Sequence, residues 1–261
     1  MSPDTTALPD MRLTGKTVLV TGASSGLGAH FARVAAAAGG RVAAAARRKD
    51  RLDALIESIE AAGGEALAVA MDVTDPASVD AGLDTIEKAL GGIDVLVNNA
   101  GVAAPAYSLK VEEASWDFIM DTNLKGAWRV AQAVAKRAVA GKRSCSIVNI
   151  ASILGLRVGF GESVYAISKA AVVQMTRTLA MELAPKGVRV NALCPGYFAT
   201  EMNTEYLHSE AGQAFLKRTP GGRVGELHEL DAPLLLLASD AGSFINGVAL
   251  PVDGGHLVSS L

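Results

Sequence analysis

Apolar positions along the chain alternate between two patterns. Short β-branched or alanine-rich runs occur at Thr17–Thr21, Arg41–Ala46, Ala66–Val73, Ile93–Asn98, Cys145–Ala151, Arg189–Leu193 and Val248–Val252. Each has the length of a strand buried on both faces and lacks the strict in-out alternation of a half-solvated one. Between these runs, apolar residues recur at helical spacing. Leu27, Phe31, Val34 and Ala35 share one face, as do Leu52, Leu55, Ile56 and Ile59. Val79, Leu83, Ile86 and Leu90 form a third face, and Val172, Met175, Thr176, Leu179 and Leu183 a fourth. Pro76 suits the first turn of a helix capped by Thr74 or Asp75. Pro233, inside the otherwise helical Leu227–Ser239, marks a first turn or a kink. Seven strands alternating with helices predict an α/β fold: a single Rossmann-like doubly wound domain, its parallel sheet covered on both faces. With no Gly/Ser linker and no internal repeat, residues 13–261 are expected to form that domain behind a flexible tail of residues 1–12.

Composition narrows the function classes. Half of the 261 residues are hydrophobic, enough for one large core. The net charge of −3 without basic clusters predicts no nucleic-acid partner. The longest apolar runs, such as Pro233–Ala238, fall far short of the roughly 18–20 residues of a membrane span, so no membrane is expected either. The N-terminus lacks the cationic start and apolar stretch of a secretion signal, which predicts a cytoplasmic location. Cys145 and Cys194 lie in strand-like segments without ligand spacing and the histidines are scattered. That pattern predicts a reduced compartment and no metal site.

The first strand runs into Thr21-Gly22-Ala23-Ser24-Ser25-Gly26-Leu27-Gly28, followed by a helix. Glycines there permit a tight turn and close approach of backbone to a pyrophosphate, and the helix N-terminus offers unpaired N–H groups. The spacing is G-x-x-x-G-x-G rather than G-x-G-x-x-G. Gly22, Ser24, Ser25, Gly26, Leu27 and Gly28 are therefore the predicted phosphate cradle. The second strand ends Ala46-Arg47-Arg48, with no acidic residue to hold ribose hydroxyls. Two guanidinium groups suit a 2′-phosphate, so NADP(H) is predicted over NAD(H).

Tyr165 and Lys169 are four residues apart, on one face of a helix running to about Ala184. A free phenol has a pKa of about 10. A nearby cation is expected to lower it, making Tyr165 a general acid/base for a carbonyl or alcohol oxygen. Ser152 follows the Cys145–Ala151 strand, at the edge where such sheets bind ligands, and its hydroxyl can hold the same oxygen.

In order along the chain, Thr21–Gly28, Asp72-Val73, Asn98-Asn99-Ala100-Gly101, Asn123, Ser152, Tyr165 with Lys169, Pro195-Gly196 with Thr200, and Val252-Asp253-Gly254-Gly255 resemble the short-chain dehydrogenase/reductase family, in its subgroup of about 250 residues. The resemblance spans Leu13 to Gly255. It implies a tetrad of Asn123, Ser152, Tyr165 and Lys169. In it, Asn123 bends its helix and holds a water linking Lys169 to solvent, and Lys169 binds the nicotinamide ribose. It implies that Asp72 meets the adenine amino group with Val73 beside it. Asn99, with Ala100 and Gly101, would approach the adenosine-side ribose, and Pro195, Gly196 and Thr200 would fix the nicotinamide carboxamide. It places Arg47 at the 2′-phosphate position and Ala46 where NAD-preferring members carry Asp. It further implies B-face hydride transfer and a homotetramer built partly from the Lys169 helix.

Three segments are expected to line a substrate pocket: Val102–Leu109, Ile153–Glu162, and Tyr197 to about Leu207. Leu154, Phe160, Tyr197, Phe198 and Met202 lead this set, with Val102, Tyr107, Val158 and Tyr206. Mostly apolar, they suit a small-molecule hydrophobic ketone or alcohol. Arg157 is expected to face solvent rather than clamp a substrate carboxylate. Reduction of a 3-oxoacyl group on a carrier protein is an alternative, because Arg129 and Lys186 resemble positions that grip an acidic carrier. A non-catalytic NADP(H)-binding regulator on the same fold is another.

Overall fold

The structure, a computed structural model, describes residues 10–199, 209–210, 212, 216 and 219–259. Seven strands form its sheet: β1 (Thr17–Thr21), β2 (Arg41–Ala46), β3 (Glu65–Ala70), β4 (Val95–Asn98), β5 (Cys145–Ile150), β6 (Val188–Pro195) and β7 (Ala249–Val252). All neighbours pair in parallel, in the order β3-β2-β1-β4-β5-β6-β7. The helices are α1 (Gly26–Ala37), α2 (Lys49–Ala61), α3 (Pro76–Leu90), α4 (Glu113–Met120), α5 (Ala127–Ala140), α6 (Ser163–Leu183) and α7 (Asp231–Ala238).

Period-two alternation along each strand feeds two cores. Leu19, Ala43, Ala45, Leu96 and Ile147 point to one face, packed with Leu83 of α3, Val130 of α5 and Val172 of α6. Val18, Val20, Val42, Val97 and Val148 point to the other, packed with Phe31 of α1, Leu52 of α2 and Leu234 of α7. Both faces are dry, which is why the strands read as continuous apolar runs.

Local signals set the helix ends. Asp75 accepts from the Ala77 amide at 3.0 Å and Pro76 opens α3, as expected from the sequence. Pro233 lies in the first turn of α7, where no helical hydrogen bond needs its missing N–H. Between α4 and α5, residues Asp121–Gly126 form a π-helical turn, so 113–140 is one long helix with a widened waist.

Five strands differ from the sequence reading, β4, β5 and β7 by one or two residues at one end and β3 and β6 by more. β3 stops at Ala70 rather than Val73, because Asp72 turns the chain outward by accepting from the amide and hydroxyl of Thr74 at 2.9 and 2.7 Å. β6 extends on both sides of Arg189–Leu193 because its outer residues still pair with β5 and β7.

The chain winds from β1 outward to β3, then returns to β4 on the other side of β1. The sheet therefore has its switch point between β1 and β4, where open α/β sheets leave a crevice at the carboxyl ends of their strands.

Candidate active site

Thr21 and Asn99 flank that crevice. Thr21 Oγ1 accepts from the amides of Asn99 (3.0 Å) and Ala100 (3.1 Å). In return Asn99 Nδ2 donates to the carbonyls of Thr21 (3.0 Å) and Gly22 (3.3 Å). The glycine-rich turn is thus braced from β4. At Gly28 a Cβ would sit 2.3 Å from the Gly22 carbonyl oxygen and 2.5 Å from Asn99 Nδ2, so only glycine lets α1 start this close. Ser25, the N-cap of α1, makes no side-chain cap bond, which leaves the first-turn amides open.

Arg48 Nη2 reaches over the turn to Ser24 Oγ (2.9 Å) and Ser25 Oγ (3.3 Å), while Arg47 is exposed within electrostatic reach of Asp72. Burial acts to raise the Asp72 carboxyl. The Thr74 amide and hydroxyl, with Arg47 and Arg129, outweigh it and hold the group below its usual value. The Val73 side chain packs against Gly126 in the core, and its carbonyl accepts from Arg129 Nη1.

Asn123 is buried and turns inward from the π-helical turn. Its Oδ1 accepts from the Val102 amide (2.7 Å), and its Nδ2 donates to the Val102 carbonyl (2.9 Å) and to Ser168 Oγ (3.1 Å). Lys169 is buried too, with Nζ donating to the Ile150 carbonyl at 2.9 Å. A Cβ at residue 101 would lie 3.3 Å from Asn123 Oδ1 and 3.5 Å from Lys169 Nζ, so Gly101 keeps this corner open. Ser152, at the end of β5, accepts from the Leu154 amide at 3.1 Å, and its hydroxyl lies near enough to the Tyr165 phenol to favour the ionised form. One corner of the sheet edge therefore gathers Asn123, Ser152, Tyr165 and Lys169.

The electrostatics correct one expectation. Tyr165 keeps some exposed ring surface, but its hydroxyl end is enclosed, and that burial pushes the phenol up to about 12. The nearby Ser152 hydroxyl opposes this; Glu162 and Tyr197 add to it. Lys169 does not acidify the phenol. Its Nζ lies 5.6 Å from the ring centroid and gives its hydrogen bond to Ile150, and burial lowers its own pKa to about 8.

The pocket residues divide. Leu154 and Tyr197 are partly exposed, and the Tyr197 ring lies 5.5 Å from that of His256. Phe160 is 90% exposed and meets Tyr107 edge-on at 5.1 Å. Phe198 is not a pocket wall. It is 5% exposed, belongs to the core with Leu230 and Leu234, and lies against Gly225. Thr200, Met202 and Tyr206 lie outside the described residues. Arg157 is half-buried rather than solvent-facing: Nη1 donates to the His256 carbonyl and to Ser259 Oγ (3.2 Å), fastening the β5–α6 loop to the C-terminal segment. Pro195 ends β6, and the Gly196 amide donates to the Val252 carbonyl at 2.9 Å.

Residues 22–256 match the family model described as enoyl-(acyl carrier protein) reductase. The 3-oxoacyl-[acyl-carrier-protein] reductase FabG of Thermotoga maritima is 39% identical, over 95% of this chain and 100% of its own. The gluconate 5-dehydrogenase of Gluconobacter oxydans is also 39% identical, over 96% and 98%. The crystal structure of a gluconate 5-dehydrogenase from Burkholderia cenocepacia in complex with NADP and tartrate superposes with a TM-score of 0.92 at 36% identity, covering 97% of this chain and 99% of that one.

The chain belongs to the short-chain dehydrogenase/reductase family. It is an oxidoreductase of CH–OH and keto groups on a Rossmann-like sheet. In this family member a buried polar ladder escaped the sequence reading. Asn98 Nδ2 donates to Asn149 Oδ1 (3.0 Å) and to the Ala127 carbonyl (2.8 Å), and Asn149 Nδ2 donates to Thr176 Oγ1 (2.9 Å). The ladder ties β4, β5, α5 and α6 together beneath the catalytic corner. Its only advance signal was an asparagine inside the apolar β5 run. Cys194 is fully buried beside this region, its thiol raised to about 11 by burial, which makes it a packing group. Among the described residues no helix is long and apolar enough to cross a membrane, and no three potential metal ligands cluster.

Proposed function

We propose that this enzyme reduces a ketone with NADPH, and reverses the reaction, using Tyr165 as proton donor and acceptor, Ser152 as its oxygen-positioning partner and Lys169 with Asn123 as support. The observation that carries this reading is the gathering of Ser152, Tyr165 and Lys169 at the carboxyl edge of the sheet, with the Ser152 hydroxyl close enough to act on the Tyr165 phenol and Lys169 Nζ 5.6 Å from its ring centroid. A phenol held near 12 is fully protonated at neutral pH, the form a reduction consumes. Ser152 and Tyr165 together offer two hydroxyls to one substrate oxygen, which fixes its position and stabilises the charge it gains. Lys169, anchored on Ile150, keeps positive charge beneath the phenol and offers its remaining N–H donors to a ribose.

The turn fits a dinucleotide. Gly26 has φ +53° with open space where a Cβ would point, above the uncapped start of α1. Gly22, Ser24, Ser25, Leu27 and Gly28 would hold the pyrophosphate, with Ala100 and Gly101 beside it. Asp72 and Val73 would meet the adenine, Asn99 would hold the turn in shape, and Pro195 and Gly196 would receive the carboxamide. The bound dinucleotide supplies the hydride at C4. Arg47 and Arg48 favour NADP(H) over NAD(H), because no carboxylate competes for the site at Ala46.

Reduction of a 3-oxoacyl group on a carrier is supported by the FabG relatives. It is weakened by Arg129, whose guanidinium is turned to the Val73 carbonyl. A homotetramer is supported by the apolar groove of about 440 Å³ between α5 and α6, lined by Trp128, Val139, Leu179 and Leu183. The unpaired, buried Cys145 and Cys194 favour the cytoplasm. Following NADPH and NADH absorbance with a panel of ketones tests the whole reading: turnover faster with NADPH is the expected result, and dinucleotide binding without turnover of any carbonyl would favour a regulatory role.

A further inference from the structure

Glu162 occupies the N-cap position of α6, three residues before Tyr165, yet its side chain makes no cap bond. Among the described residues its carboxylate has no hydrogen-bond or ion-pair partner, although it is half-buried. The backbone around it is fastened. The Ala106 amide donates to the Gly161 carbonyl at 2.9 Å, Ala106 and Glu162 form a β-bridge, and Tyr107 packs edge-on against Phe160. The fold fixes the backbone that carries this carboxylate, three residues before Tyr165, and gives its oxygens no protein donor, which leaves them for solvent or a ligand. The carboxylate lies within electrostatic reach of the Tyr165 hydroxyl, as does the Tyr197 phenol.

We propose that Glu162 is a specificity-determining residue whose carboxylate accepts a hydrogen bond from a hydroxyl carried by the substrate next to its reacting carbonyl, so that the enzyme selects hydroxyketones over simple ketones. The inference rests on the ketone-reductase reading above and names its substrate class. Lys169, 5.6 Å from the Tyr165 ring centroid, already supplies positive charge beside the reacting centre, which disfavours a cationic substrate; a carboxylate at this spot would meet Glu162 itself. A neutral donor satisfies both.

The test compares kcat/KM for acetoin against butanone, and for dihydroxyacetone against acetone, at saturating NADPH. The unaltered enzyme, Glu162→Gln and Glu162→Ala are measured alike. The hydroxyketone-to-ketone ratio is expected to fall about tenfold or more in Glu162→Ala, as for loss of a hydrogen bond to a charged group. In Glu162→Gln, which keeps an acceptor oxygen, it should fall by less. Should the alanine variant fail to fold, the near-isosteric glutamine variant carries the comparison, with melting temperature and NADPH affinity as controls. A ratio unchanged in every folded variant overturns the inference and leaves the ketone-reductase reading intact. Failure of the unaltered enzyme to turn over any carbonyl removes both.

Discussion

The Lys169 ammonium is bonded to the Ile150 carbonyl at 2.9 Å in a buried setting, an arrangement that helps the site and strains the fold. Burial depresses the folded-state pKa of Lys169 from 10.5 to about 8. Between those values the unfolded chain holds the extra proton, so the cost of this lysine is full below pH 8 and is relieved as pH rises toward 10.5. Lys169→Met should therefore stabilise the protein more at pH 7 than at pH 10, by about 1–3 kcal/mol in the difference. It should also weaken dinucleotide binding and slow turnover. Urea unfolding at the two pH values checks the first effect. A stability gain independent of pH would show that the ammonium is not desolvated.

Tyr165→Phe should reduce turnover by roughly 100- to 10,000-fold while dinucleotide affinity stays near that of the unaltered protein. The phenol itself is accessible to ultraviolet titration. With its pKa raised by burial to about 12, Tyr165 should stay un-ionised in the dinucleotide-free protein at about pH 10, where a free phenol is half ionised. The sign for stability follows: the folded state holds this proton longer than the unfolded chain, so its contribution is present below pH 10 and lost as pH rises to about 12. Ionisation of this tyrosine below pH 9 without dinucleotide would contradict the burial argument.

Arg48 is held on Ser24 and Ser25, whereas Arg47 is free to swing from the end of β2. Both follow the end of β2, the proposed place of a 2′-phosphate. Arg48→Ala and Arg47→Ala should each lower NADPH affinity about tenfold or more, with little change for NADH. Ser24→Ala should reproduce part of the Arg48 effect by releasing its guanidinium. Fluorescence titration with both dinucleotides decides it, and equal losses for NADPH and NADH would put the phosphate elsewhere.

Gly28→Ala forces a methyl group to within 2.3 Å of the Gly22 carbonyl oxygen, so α1 or the turn must shift. A cost of about 1–3 kcal/mol is expected, which lowers the melting temperature by roughly 2–12 °C. Loss of dinucleotide affinity should accompany it, since the same turn is displaced. A variant that melts normally and binds normally would mean that the close approach is not maintained in solution.

The strands were legible because both sheet faces are dry. Val18, Val20, Val42 and Val97 read as unbroken apolar runs, and the first-turn prolines at 76 and 233 fell where expected. The turn into α1 and the helix that carries Tyr165 and Lys169 were legible as geometry because each is local, within one turn or one helix face. What the sequence hid was long-range. Nothing near Arg157 announces a partner 99 residues away at His256, and nothing near Asn149 announces Asn98 and Thr176. The fate of Phe198 depended on which side of an exiting loop packs under Gly225, a choice that spacing does not encode. The tyrosine's acidity was misjudged for a related reason: sequence gives the distance along a helix but not the solvent removed around it.

The widened turn at Asp121–Gly126 carries one residue more than a continuous helix from Glu113 to Ala140 requires. Deleting that surplus position would leave the flanking apolar stripes in phase and the sheet covered, while Asn123 would lose the bulge that turns its amide toward Val102 and Ser168. Architecture and chemistry are separable here by a single codon, and a chain shortened by that codon would be a well-folded relative stripped of its inward amide.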